Sequence, residues 1–567
     1  MSNKRVHWVL IAIIVIVAVY FRFNGINWDQ GFMLHPDERF VVMVTNAMKL
    51  PDSFIQYMTP AESPMNARNV GFDFFVYGSF PLILVKLIAV ETDMDTYNNT
   101  AILGRAISAL FDILVLVYVY KMVQLLERHY KLSRAVKYSA AGLYGVAVLP
   151  IQLSHFYAVD TFSNFFTFAS IYYAMAFYFK PRFLNVVLSA IMIALALASK
   201  VSSIYLTPLI AIFFILPYVT MFLKHKKKRT PKELGTMVFY GAGFVFFAYL
   251  TLRLANPYYF EDANLFAIHL SEAFLQNIRQ LESFTIPDAW FPPAVQWIHK
   301  TPVWFALYNL AIAGVGIGFF IASVAGMIIT VRSYRKTALL LILAATILFF
   351  LYQSTAVLKT IRYFIYIYPF LAIFGGIALA ELWKIRQHKL RIGLSIAAGT
   401  GIMIWPLMFN SIYMNDHSRV QASYWIYNNL PSESVLLSEH WDDALPLMIP
   451  EQQGKIFIID QLPVFDPDTP EKWEIMNSKL EKADYYVLSS NRGWGSIITV
   501  PERYPLMAQF YEDLFAGKTE YKQIAKITSY PSLRYLGIPV EFPDGWLEET
   551  FTVYDHPEVY IFENTKK

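Results

Sequence analysis

The 567-residue sequence contains no cysteine. Disulfides, thiolate metal sites and cysteine nucleophiles are therefore excluded. Charge is also scarce. Asp, Glu, Lys and Arg make up 16% of the chain, against about 25% in an average soluble domain. A soluble protein of this length would need two or more cores, each with a charged skin, and this composition cannot supply one. The net charge of +4 gives no reason to expect a nucleic-acid partner. Glycine (25) and proline (29) are near ordinary usage, so collagen-like repeats do not fit, and the apolar content is too high for disorder.

Apolar residues make up 56% of the chain and aromatic residues 17%, and the mean hydropathy is +0.39. That is the composition of a polytopic membrane protein. A bilayer core of about 30 Å needs about 20 apolar residues per helix. Eleven runs of this kind are centred near Ile14, Val115, Leu143, Ser170, Ala194, Ile212, Val245, Gly316, Ile347, Ile373 and Gly399. The first lacks a small-residue cleavage site and reads as an uncleaved anchor. Basic residues recur in every second loop: Lys4-Arg5, Arg128–Lys137, Lys180-Arg182, Lys224–Arg229, Arg332–Lys336 and Lys384–Arg391. The positive-inside rule places these loops and the N-terminus in the cytoplasm, and an odd number of spans places the C-terminus outside. Phe72–Val90 is apolar but would break this alternation. It reads as a juxtamembrane or re-entrant helix on the outer face.

This topology leaves outer loops at about 24–104 and 256–302. In the second, Phe266, Leu270, Phe274, Ile278 and Leu281 recur every three to four residues, as on an amphipathic interfacial helix. From about Asn415 the composition turns to that of a soluble domain. Short β-rich runs (Val435–Leu437, Ile456–Ile459, Tyr485–Leu488, Phe551–Tyr554, Val559–Phe562) alternate with helical stretches at Pro470–Lys482 and Leu506–Phe515. The expected organisation is a helical membrane domain at 1–414 and an extracytoplasmic α/β domain at 415–567.

Polar residues with chemical potential collect on the outer side. His35-Pro36-Asp37-Glu38 suits the first turn of a helix, where acids meet the dipole. It also suits a general base beside a membrane-embedded substrate. His155 to Asp160 lies at the outer mouth between spans three and four. Asp160 is either a helix cap or a functional acid at membrane depth. Arg105, Lys200, Lys359 and Arg362 are outward cations. Snorkelling to headgroups explains such residues singly, but their convergence suggests an anion such as a lipid phosphate, which arginine binds through its fork of donors. Asp112, seven residues after Arg105 on roughly the same helix face, reads as part of a buried structural pair. The histidines have no metal-ligand spacing.

The ordered set is an outer His35–Glu38, Tyr77-Gly78-Ser79-Phe80-Pro81-Leu82, Gly104-Arg105, Ser154–Asp160, Ser199-Lys200 and Lys359-Thr360-Ile361-Arg362-Tyr363. It resembles the GT-C membrane glycosyltransferases of the protein O-mannosyltransferase type (glycosyltransferase family 39) and the related aminoarabinose transferases. The likeness covers about residues 1–410, and Phe551–Pro557 also resembles the end of prokaryotic members.

The resemblance implies a polytopic α-helical GT-C fold in the plasma membrane of a prokaryote. It implies a polyprenyl-phosphate-sugar donor, mannose foremost, and inverting transfer on the outer face to a hydroxyl or phosphate of a protein, lipid or glycan acceptor that it does not identify. By position, Asp37 is the base, Glu38 orients the acceptor, and Asp160 is the second acid. Arg105, Lys200 and Arg362 hold the donor phosphate. His35, Tyr77, His155 and Tyr363 are accessory positions. A divalent metal on Asp37, Glu38 or Asp160 is compatible with these residues but not demanded by them. The eukaryotic β-trefoil insertion is missing from loop 256–302. The rival reading, a transporter or lipid flippase, would favour repeated halves and a midplane site. The sequence has no internal repeat, and its candidates gather on one side.

Overall fold

A computed structural model of the chain describes residues 2–225, 231–286, 292–452 and 454–567. Of the basic run at 224–229, residues 226–229 lie outside the described residues. Hydrocarbon offers the backbone no hydrogen-bond partner, so a chain this apolar crosses a bilayer as helices. Among the described residues, eight helices are long and apolar enough to do so: Lys4–Phe23, Tyr97–Tyr130, Val201–Met221, Leu234–Ala255, Ile317–Tyr334, Thr337–Thr355, Ile361–Leu382 and His388–Met414. They carry apolar side chains on their outsides. Ile13, Val238, Val245, Phe246 and Leu348 are each more than half exposed.

The other three expected spans take different forms. Ser170 lies in Asp160–Phe179, which is 20 residues long but less apolar than the eight. Ala194 lies in the 15-residue helix Phe183–Leu197. The run around Leu143 is two helices, Ala135–Gly145 and Val148–Ser154. Arg22 satisfies the break between them, donating to the carbonyls of Tyr144 at 3.2 Å and Gly145 at 2.7 Å, and it pairs with Asp112 at 2.6 Å. Asp112 is thus in a buried structural pair, but with the first helix and not with Arg105. Seven residues is about 10 Å along a helix axis, so a neighbouring helix offers the nearer cation.

The Phe72–Val90 run becomes the 12-residue helix Phe80–Glu91, about 18 Å long and too short to span. The amphipathic stripe in the second loop is helical only over Glu272–Ser283. Phe266 and Leu270 precede that helix, and Phe266 is 83% exposed.

The C-terminal part holds five strands: β1 Val435–Glu439, β2 Ile458–Leu462, β3 Tyr485–Leu488, β4 Tyr521–Ile527 and β5 Val559–Asn564. They form one sheet in the order β2-β1-β3-β5-β4, parallel on the β2-β1-β3 side and antiparallel at β5 and β4. Alternate side chains enter opposite faces. Leu437, Tyr486 and Phe562 pack with Met476, Met507 and Tyr511 of the helices Pro470–Lys482 and Pro505–Phe515. Leu436, Tyr485, Val487 and Ile561 pack with Ile426 of Ser418–Asn429 on the other face.

Phe551–Tyr554 is not a strand. It belongs to a strap, residues 530–556, that leaves β4 and returns to the helices before β5. Ser532 donates its N–H to the Met408 carbonyl at 3.1 Å. Gln152 donates to the Phe551 carbonyl at 2.7 Å. Tyr413 donates to Asp555 at 2.8 Å. Leu547, Phe551, Val553 and Tyr554 are buried in the main helical core, which overrides the strand propensity of Phe-Thr-Val-Tyr.

Candidate active site

The helix Pro36–Ala47 begins as its sequence dictates. His35 caps it by accepting the Glu38 N–H on Nδ1 at 3.2 Å, Pro36 stands at the first position, and Asp37 and Glu38 fill the first turn. The His35 ring is buried between Phe156, 4.5 Å away, and Tyr554, 3.9 Å away. Burial lowers its pKa to about 4 against the pull of Asp37, so the imidazole is neutral and its Nδ1 is free to accept.

The two adjacent acids go separate ways. Glu38 turns inward and is buried. It accepts Arg105 Nε at 2.8 Å and Nη2 at 2.7 Å, and the Tyr157 N–H at 2.8 Å. The rest of the Arg105 fork meets Asp29 at 3.0 and 2.7 Å and the Ile26 carbonyl at 3.0 Å. Arg105 is therefore not free for a phosphate. Its donors are spent on two carboxylates and a carbonyl, and its fork lies 5.1 Å from the Trp28 ring. Nor is Glu38 free to orient an acceptor. The pair anchors the helix that carries Asp37. Asp29 was missed because no spacing singles it out.

Asp37 points the other way and keeps 28% of its side chain exposed. It meets Arg362 at 2.6 Å. Burial pushes the carboxyl up, but Arg362 and, further off, Lys200 outweigh it and bring the pKa down to about 2. Arg362 stands on the 3₁₀ turn Ile361–Ile367. Glu548 of the strap accepts the Ile361 N–H at 3.2 Å, and the hydroxyls of Thr360 and Thr550 lie 2.7 Å apart.

A second ion pair lies beside the first. Asp160, at the start of its helix, meets Lys200 at 2.7 Å. The Tyr363 ring is shared, with Lys200 Nζ 4.7 Å and Arg362 Cζ 5.7 Å from its centre. Tyr77 lies within electrostatic reach of Asp37, Arg362, Tyr363 and Asp160. It is brought there by a close backbone approach: Gly78 donates its N–H to the Ser199 carbonyl at 3.0 Å and Phe80 to the Ala198 carbonyl at 3.2 Å. A Cβ on Gly78 would fall on that Ala198 carbonyl. Tyr554 completes the group, its ring tilted against His35 and within electrostatic reach of Asp37 and Arg362. The only sequence signal for it was the resemblance of Phe551–Pro557 to a family terminus.

Two residues lie apart. His155 is buried, with Nδ1 2.8 Å from the Ile151 carbonyl and Nε2 2.9 Å from the Asn24 carbonyl, and it stacks on Tyr413 at 3.7 Å. Both of its ring nitrogens are thereby engaged by backbone. Lys359 donates to the Val357 carbonyl at 3.4 Å.

Asp37, Asp160, Lys200 and Arg362 thus form a cluster of two acids and two cations, closed by Tyr77, Tyr363 and Tyr554. A cavity of about 370 Å³ borders it on the Tyr77 side, against Asn256, Tyr259 and Phe274. A second, of about 350 Å³, borders it at Pro36 and Tyr554, against the C-terminal sheet. Each acid already holds a cation. Among the described residues no group of three or more His, Asp and Glu side chains is arranged to hold a metal ion, so these residues do not form a ready-made metal site.

No protein-family model matches the sequence, and no curated protein matches it either. The structure is similar to the oligosaccharyltransferase of Archaeoglobus fulgidus, with a TM-score of 0.50 and 13% identity, over 88% of this chain and 71% of that one. The fold is GT-C. A lower similarity is found to ArnT from Cupriavidus metallidurans, with a TM-score of 0.45 and 12% identity, over 99% of this chain and 98% of that one. The eight apolar helices among the described residues and the five-stranded sheet make the chain a polytopic helical membrane protein with an α/β unit at its C-terminal end.

Proposed function

We propose that the protein is an inverting glycosyltransferase that moves a sugar, mannose foremost, from a polyprenyl-phosphate donor to a hydroxyl acceptor on the outer face of a prokaryotic plasma membrane. The observation that carries this reading is the paired cluster: a carboxylate and a guanidinium in contact, a carboxylate and an ammonium beside them, and two cavities nearby, one lined by Tyr77 and the other by Pro36 and Tyr554. A transfer between two substrates needs one approach for each. The alternation of basic loops supports the outer face. The division into a helical catalytic domain at 1–414 and an α/β domain at 415–567 belongs to the same reading, with the strap 530–556 returned from the second to the first.

The acceptor hydroxyl attacks the anomeric carbon as the bond from that carbon to the phosphate oxygen breaks. The hydroxyl proton passes to Asp37. The lipid phosphate leaves carrying the bonding electrons, held by Arg362 and Lys200 as its charge grows. A phosphate needs little help from an acid, which suits cations on the leaving side.

Paired with Arg362, Asp37 is a weak base. A donor phosphate competes for that guanidinium, and as Arg362 turns to it the Asp37 carboxylate loses its strongest stabiliser and gains basicity. Donor binding thereby arms the base. Asp160 holds Lys200 in place, and Tyr77 and Tyr363 wall the site. Glu38, Arg105 and His35 set the helix that presents Asp37, while His155 supports the packing behind it.

A single-turnover experiment tests this. Purified protein in nanodiscs is mixed with radiolabelled polyprenyl-phosphate-mannose and with other polyprenyl-phosphate sugars, beside Asp37→Asn. Loss of sugar from one donor, dependent on Asp37, is the expected result. Absence of donor binding by a folded protein would overturn the reading.

A further inference from the structure

The cavity at Pro36 and Tyr554 lies between the start of the helix Pro36–Ala47 and the loop after β1. Its walls are Arg39, Arg419, His440, Trp441, Asp442, Asp443, Gln461 and Arg492, with Leu34 and Val553 behind. Resting on the proposed transfer reaction, we infer that this cleft is the acceptor site and that it takes a neutral carbohydrate. The C-terminal sheet then selects the acceptor rather than merely covering the site.

Charge is the first ground. Three arginines line the cleft, which at first sight suits an anion, but every one is neutralised in place. Arg39 meets Asp443 at 2.6 Å. Arg419 meets Asp442 at 2.6 Å and Asp443 at 2.8 Å. Arg492 meets Glu549 at 2.8 Å. The three guanidinium charges are balanced by three carboxylates, so an anionic ligand would have to break a pair to gain a cation. What the lining offers is a set of fixed, planar donors and acceptors side by side. Vicinal sugar hydroxyls, each both donor and acceptor, match that pattern.

The second ground is the loop itself. Trp441 has a φ of 80°, the left-handed region in which a bulky side chain is strained. The strain is held from several sides. His440 donates its N–H to the Leu462 carbonyl at 3.0 Å, Asp442 donates its N–H to the Glu439 carbonyl at 3.3 Å, and Arg492 donates to the Trp441 carbonyl at 3.1 Å. The half-buried indole packs against the core beneath the sheet and also lines the cleft, adding a flat apolar edge of the kind on which the C–H face of a sugar ring rests. The His440 ring adjoins it at 5.8 Å, and Gln461 on the edge strand β2 adds an exposed amide.

The third ground is position. Pro36 immediately precedes Asp37, and the Tyr554 ring packs against the His35 cap of the same turn, 3.9 Å away. A ligand seated against Trp441 therefore has the catalytic turn at its inner end. The volume of about 350 Å³ is at the small end for ligand sites, about 300–1,000 Å³, and suits a terminal sugar or a pair of sugars.

The test is an array of neutral oligosaccharides of hexoses and N-acetylhexosamines, printed beside phosphorylated, sulfated and carboxylated counterparts and unglycosylated peptides. It is probed with the full-length protein in nanodiscs. The expected result is binding to a subset of neutral glycans, weakened tenfold or more by Trp441→Ala and at least threefold by Gln461→Ala. Because the Gln461 side chain is exposed, that variant reads out even if Trp441→Ala fails to fold. Preference for the anionic glycans or the peptides, no glycan binding, or binding unchanged in both variants would each overturn the assignment. Asp37→Asn should still bind the same glycans, so failure of the cleft and failure of the transfer chemistry are read separately: the array reports the first and donor consumption the second.

Discussion

Replacing Asp37 with asparagine should slow the chemistry and tighten the donor. Asp37 holds Arg362 at 2.6 Å in a site where the two side chains keep only 28% and 16% of their exposure. Loss of a general base costs about 10²- to 10⁴-fold in rate. The same substitution removes the carboxylate with which a donor phosphate competes for Arg362. A hydrogen bond to a charged group is worth about 1.5–3 kcal/mol, and each 1.4 kcal/mol or so is a factor of ten in affinity. Full release of Arg362 would thus tighten the donor by about tenfold to about a hundredfold, with the neutral amide giving back part of that gain. The assay is paired: single-turnover release of radiolabelled sugar for the rate, and equilibrium binding of the same polyprenyl-phosphate sugar to the variant for affinity. Donor binding weakened in step with the rate would refute the reasoning, because Asp37 would then be holding the site together rather than competing for its cation.

The remaining expectations concern the surroundings of that pair. Arg362→Ala should raise the donor KM more than the acceptor KM. It should also move the acid limb of kcat/KM, which reports the donor-free enzyme, to higher pH, because the guanidinium that holds Asp37 down at about 2 is gone and the base protonates sooner as pH falls. Glu38→Gln strands part of the buried Arg105 fork and should destabilise the protein by up to about 3–5 kcal/mol, read as a fall in Tm with substrate absent. Gly78→Ala drives a Cβ into the Ala198 carbonyl and should separate Tyr77 from the Lys200 turn, lowering turnover in protein that still binds its lipids. Burial pulls His556 down, but Asp544 at 2.9 Å and Asp555 at 2.5 Å outweigh it and raise its pKa from 6.5 to about 10. The stabilisation is therefore complete below about pH 6.5 and is lost as pH rises through 10. A Tm series in nanodiscs should fall over that interval, and His556→Asn should flatten it.

Much of the fold was legible because the solvent is lipid. A helix in hydrocarbon must satisfy its own backbone, so eight long apolar runs declare themselves without reference to any neighbour. Where the form of a run departs from the sequence expectation, tertiary contacts do the satisfying. The break after Gly145 survives because Arg22 caps it. Phe551–Tyr554 reads as a strand in isolation and lies in the helical core as part of a strap.

The start of the helix Pro36–Ala47 is equally local. A histidine cap, a proline and two acids place Asp37 and Glu38 in a first turn whatever surrounds it. Which of the two acids faces the site is not local at all. Glu38 is claimed by Arg105, which also holds Asp29, and only then is Asp37 left to meet Arg362, hundreds of residues further along the chain. Adjacent carboxylates carry the same chemistry in the sequence. Their roles diverge because Glu38 is buried on Arg105 while Asp37 is left partly exposed beside Arg362, and that is decided by how distant helices and a returning C-terminal strap come together.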